Sequence, residues 1–295
     1  MTHLSNLQLF ALAVLIWGTT WHAIVYQVAA GTPELGVTLR FALAGALVLA
    51  FARWRGERLQ HRWRLHARLF VQGAFMYSLS YLCVYHAEKH VPSGLVAVGY
   101  SASPLLAGVG AFWLWRVPLT RRFVVGGVLG VAGVALLFWP ELGASSTRPQ
   151  AALGMGFTIG AVLLSACGSL AASRNTHHRV PFWPALGWSM LYGAALSSLT
   201  LTQQPLALPG VPSWWVSLAY LAVAGTVLAF GAFLTLQDRL GPGKASTVGV
   251  MTPVIALVVS TALEGYRPDA FTFAGVALAI AGNVLMLRGA ARAAE

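Results

Sequence analysis

Charge is what this sequence has least of. Asp, Glu, Lys and Arg together make up 9% of the residues, against about 25% in an ordinary soluble domain. Apolar residues supply 57%, and the mean hydropathy is +0.70. That balance excludes a water-soluble globule. Acidic side chains are the scarcest of all. The eight are Glu34, Glu57, Glu88, Glu141, Asp238, Glu264, Asp269 and Glu295, each at or beyond the end of an apolar run. Cysteine is nearly absent too: Cys83 and Cys167 lie within apolar runs, so neither a disulfide framework nor a zinc or other metal site is indicated. Paired carboxylates, a metal-type histidine motif and a Walker-type phosphate loop are all missing, which argues against a membrane enzyme and against ATP-driven pumping. His177 and His178 form the one adjacent histidine pair, and Arg174 and Arg179 beside them make it a solvated basic turn.

What is present is a succession of apolar runs, each about 20 residues long and able to span roughly 30 Å of hydrocarbon as a helix. Windows of that length predict ten spans, near 7–27, 34–53, 68–86, 92–115, 121–139, 152–174, 182–202, 214–237, 243–263 and 269–288. The first continues to Val28 with no Lys or Arg before Leu7, so it reads as a span and not as a cleaved signal. Trp54, Trp63, Trp113, Trp115, Trp139, Trp183, Trp214 and Trp215 fall near span ends, where an amphipathic ring prefers the headgroup level.

The net charge of +11 is carried almost wholly by arginine, since only Lys89 and Lys244 are lysines. That bias, with abundant Gly and Ala, points to a GC-rich bacterial source. Fifteen basic residues fall in the loops after spans 2, 4, 6 and 8 and in the C-terminal tail, against Lys89, Arg148 and Arg267 in the opposite loops. Such asymmetry places both termini in the cytoplasm of a multi-pass inner-membrane protein. Basic residues confined to short loops make no phosphate-tracking surface, so nucleic acid is excluded as a partner.

The two halves repeat. Pro104 matches Pro253 at an offset of 149 residues, and Gly94 with Gly243, Gly126 with Gly275 and Gly133 with Gly282 share it. Five spans is an odd number, so the second half enters the membrane from the opposite side. The reading is an all-α integral membrane protein of ten transmembrane helices, built from two inverted five-helix repeats, 1–145 and 146–295. Such repeats place a substrate site near the midplane at their interface.

The segments LIWGTTWHAI, TLRFALAG, GYSASPLLAG, GGVLGVAGVALL, VAGTVLAFGAFLTLQDRLGPGKAS and GVALAIAGNVLML resemble the EamA-type branch of the drug/metabolite transporter superfamily over nearly the whole chain. The resemblance implies a ten-helix exporter of amino acids, metabolites or drugs. The many tyrosines and tryptophans point within it to aromatic amino-acid export. Relatives often end spans 4 and 9 with a Gly-Glu-Arg-type turn. This chain has Leu114-Trp115-Arg116-Val117-Pro118 and Leu263-Glu264-Gly265-Tyr266 there, which implies different gating at those ends. The expected partners are a small-molecule substrate and the surrounding lipid, with no cofactor and no obligate protein partner.

Candidate site residues follow from what a carrier needs. Tyr77, Tyr81 and Tyr85 are spaced by four in span 3, so their rings share a helical face. Their hydroxyls either bond neighbouring helices or line an aqueous cavity. Trp17 and Tyr100 invite the same reading, and Thr20, Ser165, Ser169 and Thr226 would add hydroxyls to an aromatic-walled site for flat or cationic substrates. Pro104 and Pro253, read as lying inside helices, are tolerated kinks or gating bends. Gly126, Gly130, Gly156 and Gly160 repeat the small-residue spacing of close helix packing. No carboxylate is placed at mid-bilayer to carry a proton, which favours facilitated diffusion over proton-coupled export. His22 is the intramembrane titratable alternative, with a structural role as the simpler account. Arg40, inside span 2, either snorkels outward or faces the bundle to hold a substrate carboxylate or a backbone carbonyl, and the resemblance, whose motif often has an Arg there, favours a structural role.

Overall fold

The computed structural model describes residues 3–140, 149–177, 180–203, 207–240, 245 and 247–291. Among these residues it is helical without a strand. In hydrocarbon no water satisfies the backbone, and a helix pairs its amides and carbonyls within the segment.

Helices α1 (Asn6–Ala30) and α2 (Pro33–Trp54) are continuous. Ser5 and Gln8 form a capping box on α1, while Thr32 caps α2 with Pro33 in its first turn. The third rod is compound: α3 (Trp63–Gly73), a π-helical stretch Ala74–Leu79, and α4 (Ser80–Glu88). Next come α5 (Ser93–Tyr100), α6 (Ser103–Trp115) and α7 (Arg121–Leu137). The second half holds α8 (Pro149–His177), α9 (Phe182–Ser198) and α10 (Pro212–Ala219), the last continued by a π-helical stretch Tyr220–Leu228 into α11 (Ala229–Leu240). Helices α12 (Thr247–Leu263) and α13 (Ala270–Ala291) complete it.

Helix lies over each of the ten predicted stretches. Among the described residues six rods, Asn6–Ala30, Pro33–Trp54, Ser93–Trp115, Pro149–Asn175, Pro212–Gln237 and Ala270–Arg288, are long and apolar enough to cross a membrane, and Thr247–Leu263 is a shorter apolar helix. The halves' boundary at 145/146 lies outside the described residues, as do Glu141, Arg148, His178, Arg179, Gly243, Lys244, Arg292 and Glu295.

The glycines show how the halves meet. A methyl group on Gly126 would stand 2.5 Å from the Gly282 carbonyl oxygen, and one on Gly133 would stand 2.5 Å from that of Gly275. Gly275 and Gly282 are themselves the images of Gly126 and Gly133 at the 149-residue offset. The pairing therefore exchanges partners under the repeat, as two antiparallel helices related by a two-fold axis must. Gly130 serves the same crossing, because its backbone nitrogen lies 2.5 Å from the Cβ position of Gly282.

Gly156 and Gly160 do not make such a contact. A methyl on Gly156 meets nothing within 4 Å, and one on Gly160 meets only Cys83 Sγ at 3.5 Å. Helix α8 approaches instead through Gly168, whose Cβ position is 2.9 Å from the Met76 backbone. Trp214 also departs from expectation: it is fully buried, and its Nε1 donates to the Gln27 carbonyl at 3.1 Å. A span-end tryptophan goes to lipid or protein according to which neighbours the fold supplies.

Candidate functional site

A cavity of about 510 Å³ opens between the halves, within the roughly 300–1,000 Å³ of small-molecule sites. Trp17, Thr20, Tyr77, Tyr81, Tyr100, Ser165, Ser169 and Thr226 all border it, together with Pro104 and Pro253. Trp17 donates through Nε1 to the Gly225 carbonyl at 3.0 Å and packs its ring on Phe230 and Phe233. Phe41 lies against both Tyr77 and Tyr81, at 5.3 and 4.7 Å between ring centroids. Tyr100 sets its hydroxyl 3.2 Å from Ser80 Oγ and its ring edge-on to Trp21. Ser103 donates to Ser165 at 3.2 Å, and Thr226 bonds the Leu221 carbonyl of its own π-helical turn.

Two backbone irregularities shape this wall. The π-helical stretches Ala74–Leu79 and Tyr220–Leu228 occupy repeat-equivalent places, and each contributes lining residues, Met76 and Tyr77 from one and Gly225 and Thr226 from the other. Such bulges free carbonyls from the helical ladder, and Trp17 takes the one at Gly225. Of the three evenly spaced tyrosines, Tyr77 and Tyr81 border the cavity and Tyr85 does not. Tyr85 faces away from the cavity and donates to Gln27 Oε1 at 2.8 Å.

The prolines differ from expectation and from each other. Pro253 lies inside the continuous α12. Pro104 instead stands in the first turn of α6, where a missing amide costs nothing. The rod is broken just before it, at Ser101 and Ala102, and Ser101 Oγ turns back onto the Val98 carbonyl at 2.6 Å.

The two ends of the bundle are unlike. At the end away from the termini, α5 lies along α12, with a Cβ on Gly94 only 2.8 Å from Leu257 Cα. Glu264 fastens this contact. It accepts from the Ser93 amide at 2.9 Å, from Ser260 Oγ at 2.9 Å and from Ser93 Oγ, and His22 Nδ1 lies 3.0 Å away. Burial pushes the Glu264 carboxyl up, but the bonds from Ser93, His22 and Ser260 outweigh it and hold the group below its ordinary value. At the other end α6 leans onto α8 instead. The cavity continues there to Gly249 near the start of α12 and to Leu287 near the end of α13.

Sequence reasoning missed several lining residues, among them Trp21, Phe41, Ser101 and Asn283, and of the two placements open to Arg40 the structure has the one facing the bundle. Asn283 carried a usable signal, as an amide in the middle of an apolar run. Glu88 was placed at a span end, and it does end α4, but it is buried with neither carboxylate oxygen bonded.

The EamA-like transporter family matches the chain twice, over residues 4–139 and 152–288. The uncharacterized inner membrane transporter YedA of Escherichia coli (strain K12) is 29% identical over 287 residues, covering 95% of this chain and 90% of its own. Protein PecM of Dickeya dadantii is 25% identical over 248 residues, covering 83% and 79%. A solved crystal structure superposes with a TM-score of 0.66 at 23% identity over 94% of both chains, a likeness of fold. With both halves matched and a shared cavity between them, this chain belongs to the EamA-like transporter family and is a multi-pass membrane transporter.

Proposed function

We propose that this transporter exports small metabolites across a bacterial inner membrane by alternating access, with aromatic amino acids as its favoured substrates. The aromatic cavity carries the reading: Trp17, Trp21, Tyr77, Tyr81 and Tyr100 offer flat faces, while Thr20, Ser165, Ser169 and Thr226 offer hydroxyls. Each ring pair contributes about 0.5–1.5 kcal/mol beyond area burial, so several faces discriminate strongly for a flat side chain. The basic loops support cytoplasmic termini, which makes the cavity inward-facing and Glu264 the fastening of the periplasmic end. The break before Pro104, opposite the continuous α12, is the proposed bend. The scarcity of carboxylates within the spans supports facilitated diffusion.

Counterflow in proteoliposomes tests this. Vesicles preloaded with unlabelled phenylalanine or tryptophan are expected to accumulate the labelled amino acid transiently. Counterflow of other metabolites without any aromatic amino acid would refute the substrate assignment.

One observation favours a second reading, proton-coupled export. Glu88 is an enclosed carboxylate with no hydrogen-bond partner, and such a group is suited to binding and releasing a proton. Under this reading an imposed pH gradient accelerates net flux, and Glu88→Gln removes the acceleration. Flux indifferent to the gradient leaves facilitated diffusion.

A further inference from the structure

We infer that Arg40 anchors the carboxylate of the transported molecule within the cavity. The inference rests on the cavity being the substrate site and specifies what that site selects.

An arginine carries five N–H donors and keeps its charge at any accessible pH. Arg40 is 5% exposed, which rules out the snorkelling alternative. Its guanidinium carbon lies 4.8 Å from the Tyr81 ring centroid and 5.2 Å from that of Phe41. Its hydrogen bond runs from Nη1 to the Tyr85 hydroxyl at 3.5 Å, the outer limit of such a bond. Nε has no partner. Among the described residues no carboxylate forms an ion pair with it. The charge of Glu88 reaches it, but both Glu88 oxygens are unbonded.

A buried cation ordinarily has a paired anion, because unpaired burial is costly. Here the fold supplies two ring faces and a weak hydroxyl contact and leaves donors unused. Arg40 is also the charged residue among the described residues that line the cavity, and no acidic side chain joins it there. A carboxylate accepts two parallel N–H bonds from a guanidinium fork. The Tyr81 ring beside Arg40 places the flat body of the same molecule against Tyr77 and Tyr100. The ligand class is therefore an aromatic carboxylate, with an ammonium group tolerated and not required for anchoring.

Calorimetric titration of the full-length purified protein with L-phenylalanine, 3-phenylpropionate and phenethylamine separates these contributions. Wild type is expected to bind both carboxylates at least about tenfold more tightly than the amine. Arg40→Gln brings the three affinities together, and Arg40→Lys keeps a reduced preference. The ratios among the three affinities do not depend on the folded fraction, because it weakens all three alike, so a poorly folded variant remains informative. An unchanged carboxylate preference in Arg40→Gln, or a wild-type preference for phenethylamine, overturns the inference. Arg40-dependent binding of 3-phenylpropionate without L-phenylalanine supports the anchor while refuting the amino-acid assignment. L-phenylalanine bound with the same preference in Arg40→Gln refutes the anchor alone.

Discussion

Alanine at Gly126 or Gly282 is expected to cost about 3 kcal/mol of stability, at the upper end of overpacking effects. The reason lies in what the new methyl meets. On Gly126 it stands 2.5 Å from the Gly282 carbonyl oxygen and 2.8 Å from the Met286 nitrogen; on Gly282 it stands 2.5 Å from the Gly130 nitrogen. These are backbone atoms of a neighbouring helix and cannot swing aside as a side chain would. The whole of α7 must retreat from α13. Gly156→Ala is the control, because nothing lies within 4 Å of its new methyl and the helix gains about 0.5–1 kcal/mol over glycine. Thermal melts of the detergent-purified variants check both signs. Equal melting temperatures for Gly126→Ala and Gly156→Ala would show that the crossing is not what the structure describes.

The second large effect is expected at Glu264. Replacing it with alanine leaves the Ser93 amide, the Ser93 and Ser260 hydroxyls and His22 without their common acceptor. Losing such a partner costs about 2 kcal/mol, a roughly 30-fold shift toward an open far end. A cysteine at Ser101, with Cys83 and Cys167 replaced by alanine, reports the change. In Glu264→Ala it reacts faster with an impermeant thiol reagent added from the side opposite the termini. An unchanged rate means that Glu264 does not hold this end shut.

The same fastening has a defined pH response. The Glu264 carboxyl lies below the usual carboxylate value of 4.5. A depressed group contributes fully above its ordinary pKa, and the contribution is lost as pH falls through the lowered one. Closure is therefore expected to be insensitive to Glu264 titration near neutrality and to weaken only in acid below about 4.5. Labelling of Ser101→Cys across pH, corrected for thiolate fraction, tests this.

Much of the architecture was legible because it follows from one-dimensional patterns. Runs of about 20 apolar residues demand helices in lipid, and the 149-residue offset marked the glycines that meet at the α7–α13 crossing. The lining of the candidate cavity was legible in kind, since an aromatic or hydroxyl residue deep in a span must face protein or cavity. What failed were inferences from local spacing. Gly156 and Gly160 carry the same interval as Gly126 and Gly130, yet no backbone comes to meet them. Tyr85 has the periodicity of Tyr77 and Tyr81 but not their environment, because a turn further along α4 its hydroxyl meets Gln27 and Arg40 and not the cavity. A proline in a span reads as a kink, whereas Pro104 begins a helix.

The dearth of charge with which the chain announces itself determined its solvent and its helices, and the 149-residue offset marked the glycines at which the two halves cross. Hydropathy and small-residue spacing are properties of each segment and survive without knowledge of neighbours. Only the tertiary structure decided that Arg40 borders the cavity without an ion pair, that Glu88 is enclosed though it ends a helix, and that Glu264 closes one end onto Ser93. Each of those depends on which helix stands opposite, and in a bundle that is settled by packing between residues far apart in sequence, 45 positions for Arg40 and Tyr85 and 171 for Ser93 and Glu264.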